Sequence, residues 1–160
     1  MRWRIANPEC LAEDSDSMDI IIGSDHAGFD LKEACRAFLN QTGEHRVKDA
    51  GVFDLKSFDY PKIAHIVAQA VAKGGYPRGI LICGTGIGMS ITANRYKGVR
   101  AARCLDLYSV RMARLHNDAN ILAMGGRMLG VGLAMEIVDV FLKTAFEGGR
   151  HQSRIEQMDA

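Results

Sequence analysis

The sequence predicts an α/β protein, a three-layer αβα sandwich on a five-stranded parallel sheet of Rossmann or flavodoxin-like type. Three observations lead there. Ile20-Ile21-Ile22-Gly23-Ser24 is a short unbroken apolar run, as found in parallel strands covered on both faces. Comparable runs recur over 79–83, 100–104 and 120–124, with a weaker one over 44–49. Between strands the apolar residues shift to helical spacing, and parallel strands joined by crossovers of fixed hand make a doubly wound sheet.

Each element follows from local chemistry. Leu31, Ala34, Cys35, Phe38 and Leu39 form the buried stripe of a first helix, which Gly43 stops. A loop over 51–59 leads to Tyr60-Pro61, where the proline suits the first turn of a second helix. Ile63, Val67, Ala70 and Val71 are its buried face, and Gly74-Gly75 ends it. Further helices follow the third and fourth strands. A long final helix over 130–146 shows Leu133, Ile137, Val140, Phe141 and Ala145 on one side before Glu147-Gly148-Gly149 breaks it. A polar tail over 150–160 closes the chain. Residues 1–17 are polar and aperiodic and read as a leader outside a single domain over 18–160. The expected strand order is 2-1-3-4-5, which makes the carboxyl ends of strands one and three neighbours at the switch point, where open α/β sheets bind ligands.

Composition narrows the function classes. A chain of 160 residues, 48% hydrophobic and 24% charged, is long enough for one sizeable core. The net charge of +1 provides no global field for nucleic acid or an anionic membrane, so basic residues must act locally. No apolar run approaches the length of about 18 residues that a spanning helix needs, and the first residues lack the apolar centre of a secretory signal, so a cytoplasmic location is expected. Cys10, Cys35, Cys83 and Cys104 lie far apart with no C-x-x-C pair, which argues against a zinc knuckle or a redox motif.

The chemistry centres on Leu81-Ile82-Cys83-Gly84-Thr85-Gly86-Ile87-Gly88. A thiol stands where an apolar strand ends and a glycine-rich turn begins, and successive N–H groups of such a turn, with a helix start behind them, favour an oxyanion or a phosphate. The thiolate is the form those donors stabilise, so Cys83 reads as a base beside an anion cradle, or else as a buried cysteine ending a core strand. A dinucleotide loop wants its third glycine where Met89 stands, and a P-loop wants a lysine that is absent. Asp25-His26, at the first strand end, offers either a helix cap with an exposed imidazole or a carboxylate and imidazole able to relay a proton. His116-Asn117 closes the fourth helix, as a cap or as an acid beside a fixed amide. Arg150, His151 and Arg154 in the tail, with Arg127 after Gly125-Gly126, read as solvated charge or as the cations of a phosphate site. Tyr60 could line the crevice mouth or staple the second helix.

Taken together, Gly23-Ser24-Asp25-His26-Ala27-Gly28-Phe29, Asp59-Tyr60-Pro61, the run from Ile82 to Asn94, His116-Asn117-Asp118, Gly126-Arg127 and Gly149-Arg150-His151-Gln152 resemble the ribose-5-phosphate isomerase B family, which also includes galactose-6-phosphate isomerase subunits. The resemblance implies an aldose–ketose isomerase working through a cis-enediolate, without a metal or other cofactor. It implies Cys83 as the base between C1 and C2, and Thr85 with the N–H groups of Gly84, Thr85, Gly86, Ile87 and Gly88 as the oxyanion cradle. Asp25, His26 and His116 would open the sugar ring, His116 as donor, while Asn117, Arg127, Arg150 and Arg154 would hold hydroxyls and phosphate. Some members carry a Glu after the last loop glycine and lack the cysteine; here that position is Met89. Family members are homodimers, in some cases paired into tetramers, so the resemblance implies a site shared between subunits and a tail over 147–160 that crosses to the partner. Ribose 5-phosphate and ribulose 5-phosphate are the expected substrate pair. Tetrose 4-phosphates, hexose 6-phosphates and a non-catalytic sugar-phosphate sensor are the alternatives.

Overall fold

The computed structural model describes residues 17–160; the leader assigned to 1–17 lies, apart from Ser17, outside the described residues. Five strands pair in parallel: β1 (Asp19–Ser24), β2 (Arg46–Asp49), β3 (Arg78–Cys83), β4 (Ala101–Arg103) and β5 (Ile121–Gly125). They alternate with α1 (Phe29–Thr42), α2 (Tyr60–Ala72), α3 (Ile87–Ala93), α4 (Leu107–Asn117) and α5 (Val131–Lys143). The tail forms a 3-10 turn, Gly149–His151, and α6 (Gln152–Met158). The last long helix ends at Lys143 rather than 146, because the backbone at Thr144 is already extended.

Period-two alternation sorts the strand residues onto two faces. Ile20, Ile22, Ile80, Ile82, Leu122 and Met124 point into a core shared with α1, α4 and α5. Ile21, Leu81, Cys83 and Ile121 face α2 and α3. Each fully buried aliphatic side chain is worth about 1.5–3 kcal/mol, and a one-residue slip of any strand would exchange its two faces, so register is set by burial.

The three-layer parallel architecture is as expected, but the order is β2-β1-β3-β5-β4, with the last two strands exchanged relative to 2-1-3-4-5. The reason lies in the strands themselves. Every residue of β5 is buried, which requires a neighbour on both sides. The three residues of β4 are all half-buried, and arginines stand at Arg100 and Arg103, which suits a short edge strand. The exchange matters for the site: with β5 beside β3, the Gly126 N–H donates to Cys83 O at 2.7 Å and the Arg127 N–H to Gly84 O at 3.2 Å.

Because all strands run the same way, residues that follow strands gather on the carboxyl edge of the sheet and residues that follow helices on the amino edge. The four steps from Gly79 to Cys83, in register with Ile121 to Gly125, separate the edges by about 13 Å at ~3.3 Å per residue.

At the end of β3 the turn depends on Gly86, which has φ +77° and whose added Cβ would lie 2.9 Å from the Met124 carbonyl carbon. Gly86→Ala should therefore lower unfolding stability by about 1–3 kcal/mol, as measured by urea titration, whereas an unchanged midpoint would mean that the loop can re-route.

Candidate active site

On the carboxyl edge three strand ends converge. Cys83 is 5% exposed and its Sγ accepts a hydrogen bond from the Gly86 N–H at 3.1 Å. Elsewhere in the core, burial pushes the Cys35 thiol up to about 12 and the Cys104 thiol up to about 11. Cys83 is thus the described cysteine whose sulfur takes an amide hydrogen bond at the crevice. Of the amides expected to form the cradle, Gly86 is engaged with this sulfur and Ile87 donates to Thr85 Oγ1 at 3.3 Å. The first turn of α3 begins at Ile87, so its remaining amides have no partner four residues back.

From the end of β1, Asp25 is buried and accepts hydrogen bonds through Oδ1 from the Ala27 N–H at 2.9 Å and the Gly28 N–H at 3.0 Å. It holds the turn into α1, although Gly28 and not Asp25 is the N-cap. His26 is half-buried, and its Nδ1 accepts from the Phe58 N–H at 3.2 Å. Tyr60 opens α2 with its ring against Gly88: a Cβ there would lie 2.5 Å from the ring, so only glycine leaves room. The Arg127 side chain passes over Gly84, its Cδ and one Nη 3.6 Å from the position of an added Cβ. Asp25, His26, Tyr60, Cys83, the 84–88 loop and Arg127 thus stand on one edge, Arg127 apart from the tail cations Arg150 and Arg154 with which the sequence grouped it.

The remaining candidates stand at the amino edge. His116 and Asn117 end α4, just before β5 begins, and the tail lies beside them. The His116 and His151 rings stack with centroids 4.2 Å apart and planes 11° apart, and Glu147 Oε2 is 3.7 Å from Nε2 of each. Arg150 Nε donates to His151 Nε2 at 3.4 Å, and Arg150 and Arg154 are exposed. Burial, then the positive charges of His116, Arg150 and Arg154, lowers the His151 pKa below the ordinary imidazole value, with Glu147 opposing. His116, Glu147 and His151 could be mistaken for metal ligands. A metal binds in the plane of an imidazole, however, and two nearly parallel planes share no such point unless a ring tilts. With two arginines alongside, the group suits an anion. Within one chain, then, His116, Asn117, Arg150 and Arg154 are not brought to Cys83.

Supporting residues escaped sequence reasoning. Arg103 donates through Nε to Thr85 O at 2.6 Å, bracing the glycine loop from the edge strand. Buried Arg114 pairs with Asp118 at 2.7 Å and donates to Ala119 O at 2.6 Å, while Arg100 bridges Asp118 at 3.1 Å and Asp159 at 2.8 Å. Asp118, at φ 43°, caps α4 and so fixes the direction in which His116-Asn117 leave the helix. The arginines flanking β4 were the available signal for Arg100 and Arg103; nothing local marked Arg114.

Residues 20–158 match the family model described as Ribose/Galactose Isomerase. The chain belongs to this family. Among relatives within the ribose/galactose isomerase group, it is 48% identical over 141 residues to ribose-5-phosphate isomerase B of Escherichia coli, covering 88% of this chain and 94% of that one. It is 40% identical to a D-erythrulose-4-phosphate isomerase of Pectobacterium atrosepticum, covering 88% and 93%. The crystal structure of a ribose 5-phosphate isomerase from Thermotoga maritima superposes with a TM-score of 0.86 at 50% identity, covering 89% of this chain and 97% of that one.

The lowered His151 pKa has a sign that can be checked. Between its folded value and about 6.5, the unfolded chain binds more protons at this residue than the folded one, so the His151 contribution to stability falls as pH drops through that window. Thermal melts of wild type and His151→Gln from pH 7.5 to 5.5 should show a steeper decline for wild type; parallel curves would remove His151 as the source.

Proposed function

We propose that this protein interconverts ribose 5-phosphate and ribulose 5-phosphate. The observation that carries the reading is the Cys83 sulfur, hydrogen-bonded to the Gly86 amide at the end of β3, with Asp25, His26, Tyr60 and Arg127 around the same crevice. On this reading the thiolate takes the proton from C2 of the open-chain aldose, and the electron pair forms the C1=C2 bond of a cis-enediolate while O1 gains negative charge. That charge grows beside the first-turn amides of α3 and Thr85, where donors help most. The proton returns to C1, O2 gives its proton to O1, and the ketose results. Asp25, His26 and His116 serve ring opening, and Asn117, Arg127, Arg150 and Arg154 hold the hydroxyls and the phosphate.

The edge separation bears directly on how such a site is assembled. Groups for C1 and C2, with Arg127, stand on the carboxyl edge and Arg150 and Arg154 on the amino edge, so a homodimer in which each subunit's amino edge and tail face the other's carboxyl edge completes two sites. Cytoplasmic operation fits a base that must stay a free thiol, and among the described residues Cys35, Cys83 and Cys104 form no disulfide with one another. In one helix-based respect the membrane is set aside: among the described residues no helix is long and apolar enough to cross one.

The relative that acts on D-erythrulose 4-phosphate makes carbon number the point to test. Wild type assayed with four-, five- and six-carbon aldose phosphates should turn over ribose 5-phosphate with the highest kcat/KM, and Cys83→Ala should reduce kcat by about 100-fold or more with little change in affinity. Preference for a tetrose or hexose phosphate would reassign the substrate. Binding that survives in Cys83→Ala with no turnover in either protein would indicate a sugar-phosphate sensor.

A further inference from the structure

Lys32 is the one lysine among the described residues that is wholly buried, and no step of the proposed reaction uses it. Its ammonium pairs with Asp49 at 2.8 Å and Glu33 at 2.9 Å, donates to Val52 O at 2.7 Å, and lies 5.3 Å and 5.5 Å from the Phe29 and Phe53 ring centroids. Burying an ammonium is costly unless every donor is used, and here all three charge-assisted contacts are short. Two of them are made where the chain leaves β2 and enters the loop over 51–59.

That loop is fastened at both ends. At its start the Ser24 N–H donates to Gly51 O at 2.7 Å and the Val52 N–H to Ser24 O at 2.8 Å, which extends the β1 pairing to the residue before Asp25-His26. Asp49, the partner of Lys32, accepts through Oδ1 from the Gly51 N–H at 2.8 Å. At its far end the Phe58 N–H meets His26 Nδ1 at 3.2 Å. A backbone N–H can only donate, so Nδ1 must be the unprotonated nitrogen of the neutral ring, and the ring proton is left on Nε2.

We propose that Lys32 is a positioning residue: by holding Val52 and Asp49 it seats the 51–59 loop so that the Phe58 amide fixes His26 as its Nε2–H tautomer, making His26 a hydrogen donor to the sugar rather than a base. The division of labour between Cys83 and His26 follows. Cys83 is left as the group that accepts a proton from carbon, and His26 presents an N–H to an oxygen. This rests on the isomerase reading for its consequence, but the tautomer itself does not.

Long-range nitrogen–proton NMR of the histidine rings at pH 8, with His26 assigned by its loss in His26→Gln, reads the tautomer directly. Wild type should show His26 protonated at Nε2 alone; an Nδ1–H or a mixed ring would overturn the proposal. Phe58→Pro removes the donor in an exposed segment without touching the core, and Lys32→Met removes the anchor while Asp49 keeps Arg36 at 2.9 Å. Each should give a mixed His26 ring and lower kcat/KM for ribose 5-phosphate by about ten-fold, with circular dichroism reporting the fold. A pure Nε2–H ring in Phe58→Pro would also overturn it. Should wild type turn over no sugar phosphate while the tautomer is as stated, the isomerase reading fails and the assignment of the ring stands.

Discussion

The direction of the strands governs everything else in this molecule. Five parallel strands send every strand-to-helix loop to one edge of the sheet and every helix-to-strand loop to the other. Cys83, Asp25-His26 and Arg127 follow strands; His116-Asn117 and the tail follow helices. Over the length of β3 and β5 the two edges stand about 13 Å apart, and the two sets leave the sheet from opposite edges. The proposed reaction places a base near C1 and C2 and cations near the phosphate, and the proposed two-fold arrangement of chains would bring both sets to each site.

On the carboxyl edge, backbone geometry does most of the positioning. Gly86 turns the chain so that its own amide faces the Cys83 sulfur, and β5, inserted beside β3, presents Gly126 and Arg127 to Cys83 and Gly84 through main-chain hydrogen bonds. Arg103 restrains the loop from outside. On the amino edge, charged side chains take that role: Arg100 and Arg114 converge on Asp118, and Glu147 meets the stacked His116 and His151. The glycine loop is braced through its carbonyls, whereas the end of α4 is braced through a carboxylate.

Most of the fold was legible because unbroken apolar runs and helical spacing each report burial directly. The expected order placed β4 inside and β5 at the edge, the reverse of what is found, although the signal was present: Arg100-Ala101-Ala102-Arg103 belongs at an edge and Ile121-Leu122-Ala123-Met124 in the middle. The crevice residues of the carboxyl edge were legible because strand-end polar residues beside glycines have few other reasons to be there. The anchoring of the 51–59 loop by Lys32 was hidden, since a lysine in a helix normally reads as solvated and its partners Asp49 and Val52 lie far away in sequence. The stacking of His151 on His116 likewise joins segments that no local pattern relates.

A site shared between two copies is tested most directly by mixing two inactive variants. In the proposed shared-site homodimer Cys83→Ala and His116→Ala are each defective in every site of their own dimer, but a hybrid holds one site with both residues intact. After co-refolding at equal amounts, half the dimers are hybrids with one working site of two, and ribose 5-phosphate isomerase activity should return to about a quarter of wild type. A mixture no more active than the two variants measured separately would contradict the shared site.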